Sequence, residues 1–288
     1  MNDRIFWYDG RLCSANTLEL DITDPGLLYG ATVFTTLRVY DRTLKHSLTQ
    51  WQKHCDRLLA SIEVFGWSEP DWERTSHGAK VLSDRYPVLR VAIFPDGREW
   101  ITGRSLPPDL TRRQQQGIVA WLACEPQFRR SLPVWKTGNY LPAWLALQGA
   151  RKHNAKEAIL TDDAGNWLET STGNLWGWRE GCWWTPPLEA GILPGLMRTR
   201  LLDTLQQQQT VMEVPWTPEV VKGFDAIAYT NSVVEIVPIH TVLICSHNSC
   251  PPSYFCYPNV LMYVDRLRKC LAGTVGETEK TQGEQTDY

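Results

Sequence analysis

Apolar positions along the chain follow two spacings, and each spacing predicts a different kind of element. Alternating or short continuous apolar runs predict β-strands, whereas apolar residues three or four positions apart predict helices. The predicted strands cover residues 4–12, 33–41, 88–94, 118–124, 157–161, 167–172, 224–229 and 235–238. The predicted helices cover residues 47–66, 141–154, 196–206 and 260–271.

Strands and helices alternate irregularly in both halves of the chain, which indicates a mixed α/β (α+β) fold with two domains. We expect a small N-terminal domain over residues 1–106 and a larger C-terminal domain over residues 118–272. Residues 107–117 end a polar, proline-containing stretch and are predicted as the linker. The polar residues 273–288 are predicted to form a disordered tail. A cleft between two such domains is a common ligand site.

Composition and charge exclude several classes of function. The chain has 288 residues, with 29 Lys+Arg against 32 Asp+Glu and a formal charge of −3. This balance argues against nucleic-acid binding, which needs a basic surface. No apolar run approaches the roughly 18 residues that span a bilayer, and the N-terminus lacks the apolar core of a secretion signal. We therefore expect a cytoplasmic protein that binds neither membranes nor nucleic acids.

Cysteine usage points to free thiols rather than to disulfides or a metal site. The eight cysteines are spread along a chain without a secretion signal. One group, formed by Cys245, His247, Cys250 and Cys256, raises the question of zinc. It lacks the paired short spacing of structural zinc sites, so no metal is predicted. The chain also lacks the glycine-rich motifs of nucleotide sites and the H-E-x-x-H motif of metalloproteases.

Several segments concentrate residues that could do chemistry. Taken singly, each has an ordinary interpretation: a surface arginine, a solvated lysine, an exposed glutamate, or a turn before a helix. Their order and spacing along the chain carry more information than any one of them. The segments are Tyr29–Arg38 (YGATVFTTLR), His54–Leu58 (HCDRL), Trp135–Tyr140 (WKTGNY), Leu168–Trp176 (LETSTGNLW), Gly191–Arg198 (GILPGLMR) and Thr230–Ser232 (TNS).

Together these segments resemble the fold-type IV pyridoxal-phosphate enzymes, the class IV aminotransferase superfamily. It includes branched-chain aminotransferases, D-amino-acid aminotransferases and aminodeoxychorismate lyases. The resemblance runs from about residue 7 to about residue 241. It implies pyridoxal 5′-phosphate as the cofactor, held in the cleft between two domains. It also implies a homodimer that acts on a small-molecule substrate.

The resemblance assigns a role to individual residues. Lys136 matches the lysine that bonds covalently to the cofactor aldehyde and later moves a proton. Glu169 matches the glutamate that keeps the cofactor ring nitrogen protonated by charge pairing. Arg57 matches the arginine that binds the cofactor phosphate with its fixed fork of donors. The other implied cofactor-binding residues are Leu196 and Met197, through backbone amides at a helix start, and Asn231 and Ser232.

Three positions favour aminodeoxychorismate lyase within the superfamily. Phe34-Thr35-Thr36 stands where transaminases commonly have a glutamate after the aromatic residue. Asn231 precedes Ser232, as in the lyases, and Leu141 stands where many transaminases have a tyrosine. The resemblance then implies conversion of 4-amino-4-deoxychorismate to 4-aminobenzoate and pyruvate, a step towards folate. Thr36 would donate the proton to the leaving group.

Two other functions stay open from the sequence. A branched-chain or D-amino-acid aminotransferase would share the cofactor residues and differ only in its substrate contacts. A catalytically inactive relative that serves as a binding module is disfavoured, because Lys136, Glu169 and Arg57 are all present. Substrate carboxylates need cations, and the candidates are Arg38, Arg90 and Arg98. For Arg90 and Arg98 we favour an ordinary surface position.

Overall fold

The computed structural model describes residues 4–244 and 253–282 and is mixed α/β, as the sequence predicts. The chain divides into two compact units. The first unit contains Met1–Pro108 and Trp135–Tyr140, and the second contains Asp109–Val134 and Leu141–Tyr288. The segment Trp135–Tyr140, which the sequence analysis places in the C-terminal domain, therefore groups with the first unit.

The first unit is built on a five-stranded antiparallel sheet with the strand order β2-β1-β5-β4-β3, so that β3 lies at one edge. The predicted strand over residues 4–12 is a hairpin, because Asp9 and Gly10 form a turn with positive φ angles. The elements are β1 (Ile5–Tyr8), β2 (Arg11–Ser14), α1 (Pro25–Leu28), β3 (Val33–Arg38), α2 (Trp51–Phe65), α3 (Trp72–Ser83), β4 (Val88–Ile93) and β5 (Glu99–Arg104).

One face of this sheet carries the core of the first unit. Alternate residues of a strand point to the same face, and here the odd-numbered residues of β3, β4 and β5 face helices α2 and α3. The helices contribute apolar residues one turn apart, as a 3.6-residue period requires. The fully or nearly fully buried members include Val33, Leu37, Leu58, Ile62, Leu82, Leu89, Val91, Ile93 and Ile101.

The second unit contains a sheet that closes on itself. The strand order β9-β12-β13-β6-β7-β8 returns to β9 because Glu169 of β8 pairs with Asn174 of β9. The elements are α4 (Leu110–Gln116), β6 (Ile118–Ala123), α5 (Leu141–Lys152), β7 (Glu157–Thr161), β8 (Trp167–Thr170), β9 (Asn174–Arg179), β10 (Cys182–Thr185), α6 (Leu196–Leu205), β11 (Val211–Glu213), α7 (Pro218–Lys222), β12 (Ala226–Asn231), β13 (Glu235–Ile244), β14 (Ser253–Cys256) and α8 (Val260–Gln282).

The structure corrects the prediction for the two polar stretches. The predicted linker, residues 107–117, contains helix α4, because Leu110 is buried and Asp109 pairs with Arg113 one turn later, at 2.8 Å. The tail predicted as disordered covers residues 273–288, but α8 continues to Gln282, and residues 283–288 lie outside the described residues. Its first part is anchored by buried apolar residues at helical spacing, namely Val260, Val264, Leu267 and Leu271. Polarity alone therefore did not predict the helix that each stretch contains.

Other differences come from local turn chemistry and from weak periodicity. Helix α2 begins four residues later than predicted, because the amide of Thr49 donates to the carbonyl of His46 in a turn, at 2.9 Å. The sequence analysis did not identify α3 and β5. Helix α3 mixes charged and apolar residues, and its start depends on a cap in which Asp71 accepts from the amide of Arg74.

Disulfides, groups of metal ligands and helices that could span a membrane are absent from the described residues. None of the six cysteines among them forms a disulfide within the described part of the chain. Within residues 4–244 and 253–282 no group of three His, Cys, Asp or Glu side chains is arranged to hold a metal. Cys256 lies exposed on β14, whereas Cys245, His247 and Cys250 lie outside the described residues. None of the described helices is long and apolar enough to cross a membrane.

We predict that Leu37→Ala lowers the free energy of unfolding of the first unit by about 2–5 kcal/mol, since Leu37 is fully buried and leaves a cavity. Leu12 on the edge strand β2 is 47% exposed and provides the matched control. Leu12→Ala should change the free energy by about 0.5 kcal/mol or less. Urea denaturation followed by circular dichroism measures both. Equal effects of the two variants would contradict the assigned core.

Candidate functional site

Lys136 lies in a short segment that pairs with the free edge of β3. The amide of Phe34 donates to the carbonyl of Lys136 at 2.8 Å, and the amide of Gly138 donates to the carbonyl of Thr32 at 2.6 Å. A Cβ at Gly138 would lie 2.3 Å from the hydroxyl of Thr32, so only glycine permits this close approach. The backbone of Lys136 is therefore fixed to a strand of the sheet.

The alternation of side chains along β3 separates its two threonines. Thr35 shares the helix-facing side with the core residues Val33 and Leu37 and is completely buried. Thr36 lies on the opposite side, together with Phe34. The ring centroid of Phe34 is 4.9 Å from the Lys136 Nζ, so this opposite side is the one that the lysine amine meets. Thr36 thus lies on the lysine side of the strand and Thr35 does not.

Two aromatic rings flank the lysine amine. The Lys136 Nζ lies 4.9 Å from the Phe34 ring centroid and 5.2 Å from that of Tyr140, and the two rings meet edge to face at 5.5 Å. Leu141, by contrast, is 59% exposed. A tyrosine therefore does stand beside the lysine, one position earlier than the sequence analysis considered. The leucine at 141 consequently does not separate a lyase from a transaminase.

Arg90 occupies the same side of the sheet, and the structure corrects its interpretation as an ordinary surface arginine. It lies directly opposite Thr36 in the β3–β4 pairing, and its guanidinium carbon is 4.0 Å from the Phe34 ring centroid. Burial lowers the pKa of Arg90. Its Nε is buried without a hydrogen-bond partner, and no carboxylate pairs with it within the described part of the chain. It is a half-buried cation suited to bind an anionic group.

Arg57 reaches β3 from the other side, from helix α2. Its Nη2 donates to the hydroxyl of Thr35 at 2.5 Å, and the same hydroxyl lies 2.5 Å from Nδ1 of His54. Burial lowers the pKa of Arg57 to about 10, which still leaves it protonated at neutral pH. His54 is completely buried, and burial, Arg57 and Lys136, in that order, lower the pKa of its imidazole well below the usual value.

The remaining arginine candidates of the first unit have other partners. Arg98 donates to the carboxylates of Asp24 and Asp96, at 2.6 Å each, and to the hydroxyl of Tyr8. These contacts fix the turn before α1 to the β4–β5 turn, so Arg98 has a structural role. The guanidinium carbon of Arg38 lies 4.6 Å from the ring centroid of Tyr40.

In the second unit, Glu169 lies where the sheet closes. It is 4% exposed, forms an ion pair with Arg130, and accepts from the amide of Leu193 at 3.1 Å. A buried carboxylate is costly unless it is paired with a cation and hydrogen-bonded, and Glu169 has both kinds of partner. Its position on β8, opposite Asn174, fixes it to a rigid element.

The start of helix α6 is held next to this glutamate. Asn174 donates its amide to the carbonyl of Leu193 at 2.8 Å. Gly195 is the N-cap residue and supplies no side-chain cap, and a Cβ there would lie 2.0 Å from the Asn174 side chain. The amides of Leu196 and Met197 have no acceptor within the helix, because every α-helix leaves its first amides unpaired. Such amides are suited to an anion such as phosphate.

The turn that carries Ser232 is tied to the hairpin after Glu169. The side-chain oxygen of Asn231 accepts from the amides of Val233 and Val234, at 2.9 and 3.0 Å, and its amide donates to the carbonyl of Thr172 at 3.3 Å. The second unit thereby brings Glu169, Asn231 and the start of α6 to one region. Asn231 acts there as a turn-forming residue through all three contacts.

Sequence reasoning missed several residues near Lys136 in the first unit and near Glu169 in the second unit. Arg130 lies 39 positions from Glu169, so no local pattern links them. Arg90 carried a usable signal, because strands 33–41 and 88–94 were both predicted and an antiparallel pairing would place a cation opposite a threonine. His54 lies in a segment that was singled out, but its contact with Thr35 depends on the packing of α2 against β3.

Comparison with known proteins identifies a family. Residues 32–242 match the family model described as amino-transferase class IV. A branched-chain-amino-acid aminotransferase of Pseudomonas aeruginosa is 24% identical over 267 residues, which cover 83% of this chain and 85% of that protein.

Solved structures show the same fold. The pyridoxal-phosphate-bound form of a hypothetical aminotransferase from Mycobacterium tuberculosis has a TM-score of 0.75 and 18% identity, covering 94% of this chain and 98% of the other. A protein described provisionally as a 4-amino-4-deoxychorismate lyase has a TM-score of 0.66 and 27% identity, covering 80% of this chain and 92% of the other.

We predict that Arg130→Ala lowers the free energy of unfolding of the second unit by about 3–5 kcal/mol, because it leaves the buried Glu169 carboxylate without its cation. The neighbouring Arg129 is the matched control, since its partner Asp163 is 87% exposed. Arg129→Ala should cost about 1 kcal/mol or less. Chemical denaturation of both variants provides the comparison, and a similar small loss for each would show that the Glu169 pair is not buried as described.

Proposed function

The chain belongs to the amino-transferase class IV family, whose members are pyridoxal-phosphate enzymes, and we propose that it is the lyase that converts 4-amino-4-deoxychorismate to 4-aminobenzoate and pyruvate. One observation carries the choice of a lyase. Thr36 lies on the side of β3 that faces the Lys136 amine, with Arg90 directly opposite. Elimination of a leaving group that carries a carboxylate needs a proton donor and a cation. A hydroxyl and a guanidinium group on this side can supply them.

The residues present fit the cofactor. Lys136 supplies the only amine found beside the aromatic pair Phe34 and Tyr140 in the described first unit. Arg57 is a half-buried cation whose Nε lacks a hydrogen-bond partner, which suits a phosphate. In the second unit, the open amides at the start of α6 suit a phosphate, and the buried Glu169 suits a protonated pyridine nitrogen.

When bound, the cofactor supplies a protonated ring that delocalises the electron pair released at the substrate carbon bearing the amino group. Lys136 takes the proton from C4 of the substrate. Glu169 would keep the ring nitrogen protonated, and its own charge is balanced by Arg130. Arg57 of the first unit would bind a phosphate, and the α6 amides and the Ser232 hydroxyl of the second unit would also suit one.

Thr36 acts at the bond that breaks. After the C4 proton leaves, the bond between C3 and the ether oxygen breaks and the ring becomes aromatic. The departing enolpyruvate oxygen needs a proton, and we assign the Thr36 hydroxyl as its donor. The enol then becomes pyruvate: its CH2 carbon takes up a proton, which balances the one that Lys136 removed from C4, and its oxygen releases a proton, which restores the Thr36 hydroxyl. Aromatisation drives the reaction, and the protein mainly supplies positioning.

Arg90 is the carboxylate-binding residue in this scheme. Its guanidinium stacks on Phe34, lies opposite Thr36 and is not neutralised by a carboxylate among the described residues. A fork of donors held against a ring presents a fixed geometry to a planar carboxylate. We therefore assign Arg90 to the carboxylate of the departing enolpyruvyl group. The Thr36 hydroxyl is assigned to the ether oxygen of the same group.

A transaminase acting on branched-chain or D-amino acids is the second candidate. Tyr140 beside the Lys136 amine and the named aminotransferase relatives support it. Both candidates use the same cofactor residues. They differ in whether pyruvate forms without an amino acceptor.

Purified holoenzyme supplied with 4-amino-4-deoxychorismate should release pyruvate and 4-aminobenzoate in equal amounts with no oxo acid added. Lactate dehydrogenase and NADH measure the pyruvate, and fluorescence after chromatography measures the 4-aminobenzoate. A parallel assay with leucine, D-alanine and 2-oxoglutarate tests amino transfer. Transfer without pyruvate release from aminodeoxychorismate would contradict the lyase and favour the second candidate.

We predict that Thr36→Val lowers kcat for pyruvate release by about 100-fold or more, a typical loss for a general acid, while the cofactor absorption spectrum stays unchanged. Thr36→Ser keeps the hydroxyl and should retain most of the rate. Steady-state kinetics and an absorption spectrum suffice. A Thr36→Val enzyme with a normal kcat would remove Thr36 from the reaction.

We predict that Arg90→Gln raises KM for the dicarboxylate substrate by roughly 10- to 100-fold, the value of a lost hydrogen-bonded charge contact. The exposed Arg11 of the same sheet supplies the control. Arg11→Gln removes one positive charge at the surface and should leave KM unchanged. If both variants keep the KM of the parent enzyme, Arg90 does not bind a substrate carboxylate.

A further inference from the structure

A polar connection crosses the otherwise apolar contact between β3 and α2. Thr35 and His54 are both completely buried, and the neighbours of Thr35 on the same face, Val33 and Leu37, belong to the apolar core. Polar groups in such a place are costly unless they are hydrogen-bonded. The connection therefore has a specific geometry that the surrounding core fixes.

The direction of each hydrogen bond in this connection can be assigned. Arginine has no acceptor, so Arg57 Nη2 donates and Thr35 Oγ1 accepts, at 2.5 Å. The single hydroxyl proton of Thr35 is then directed to Nδ1 of His54, also at 2.5 Å. In the tautomer that carries its proton on Nε2, His54 accepts this bond through Nδ1, and its buried Nε2 has no hydrogen-bond partner among the described residues. Burial and two nearby cations keep the pKa of His54 low, which agrees with a neutral ring.

Neutral partners leave the charge of Arg57 available. Within the described residues, the buried or half-buried guanidinium groups of Arg74, Arg98 and Arg130 each pair with a carboxylate. Arg57 pairs with a hydroxyl instead, and its Nε is buried with no hydrogen-bond partner. Its orientation is thus fixed without neutralising the charge that an anion would meet.

We propose that Thr35 and His54 are positioning residues that orient Arg57 for the cofactor phosphate, an inference that rests on the proposed role of Arg57. The two threonines of Phe34-Thr35-Thr36 then have separate tasks on opposite faces of one strand. Thr36 acts on the substrate side, and Thr35 acts on the helix side through Arg57. His54 acts one step further away, as the acceptor that orients the Thr35 hydroxyl.

The test compares binding of pyridoxal 5′-phosphate with binding of pyridoxal, which lacks the phosphate, to the apoenzyme. The ratio of the dissociation constant of pyridoxal to that of pyridoxal 5′-phosphate isolates the phosphate contribution. Thr35→Val keeps the shape of the side chain and removes the hydroxyl. It should weaken pyridoxal 5′-phosphate binding by about tenfold and leave pyridoxal binding nearly unchanged, so the ratio falls. Isothermal titration with inorganic phosphate should show the same loss.

Rescue and control variants separate positioning from general damage. Thr35→Ser restores the hydroxyl and should restore the ratio. His54→Phe removes the acceptor while Thr35 stays in place, and should lower the ratio in the same direction. Ser61→Ala is the matched control, because Ser61 is a buried hydroxyl of the same helix that donates to the backbone carbonyl of Arg57 at 3.0 Å. It should leave the ratio unchanged.

Arg57→Ala distinguishes failure of this inference from failure of the proposed function. If Arg57→Ala lowers the ratio but Thr35→Val and His54→Phe do not, the positioning role is overturned and the phosphate role of Arg57 stands. If Arg57→Ala itself leaves the ratio unchanged, the phosphate assignment fails and the positioning role fails with it. A parallel fall in the affinities for pyridoxal 5′-phosphate and pyridoxal would also overturn the inference, since it indicates general damage.

Discussion

The backbone hydrogen bond from the Phe34 amide to the Lys136 carbonyl, at 2.8 Å, determines which side chains of the first unit lie near the lysine amine. It joins a segment from the middle of the chain to the edge of a strand near its beginning. Once this register is fixed, strand alternation decides which residues meet the lysine amine. Phe34, Thr36 and Arg90 lie on that side, and Thr35 points to the helices. One strand therefore carries both the residues assigned here to the substrate and the threonine that contacts Arg57.

Charge pairing gives a second organising rule. Arg74, Arg98, Arg130 and Arg198 meet carboxylates and stabilise the fold around them. Arg57 and Arg90 contact a hydroxyl and an aromatic ring instead. Because a hydroxyl and an aromatic ring do not neutralise a positive charge, the charges of Arg57 and Arg90 can attract an anionic ligand. A phosphate for Arg57 and a carboxylate for Arg90 are the anions that the proposed reaction provides.

Much of the fold was predictable from the sequence where a local pattern decides the structure. The strands over residues 88–93, 118–123 and 157–161 and the helix over 196–205 lie close to their predicted positions, because their apolar periodicity is strong. The helix at 110–116 was missed, because polar composition hid one buried leucine, and the C-terminal helix was predicted only as far as residue 271, because the sequence beyond that point is polar. The grouping of Trp135–Tyr140 with the first unit depends on a long-range pairing that no local pattern contains.

For the candidate site, motifs pointed to Lys136, Glu169 and Arg57 as candidates, but they gave neither the partners of these residues nor the separate faces of Thr35 and Thr36. The partners and the faces depend on strand register and on packing between distant parts of the chain.

The most direct test of the account is to reduce the purified holoenzyme with borohydride, digest it and locate the phosphopyridoxyl group by mass spectrometry. We predict that the group is found on the peptide containing Lys136 and is attached to that side chain. A group attached to another lysine, or a preparation that binds the cofactor without any covalent label, would contradict the account.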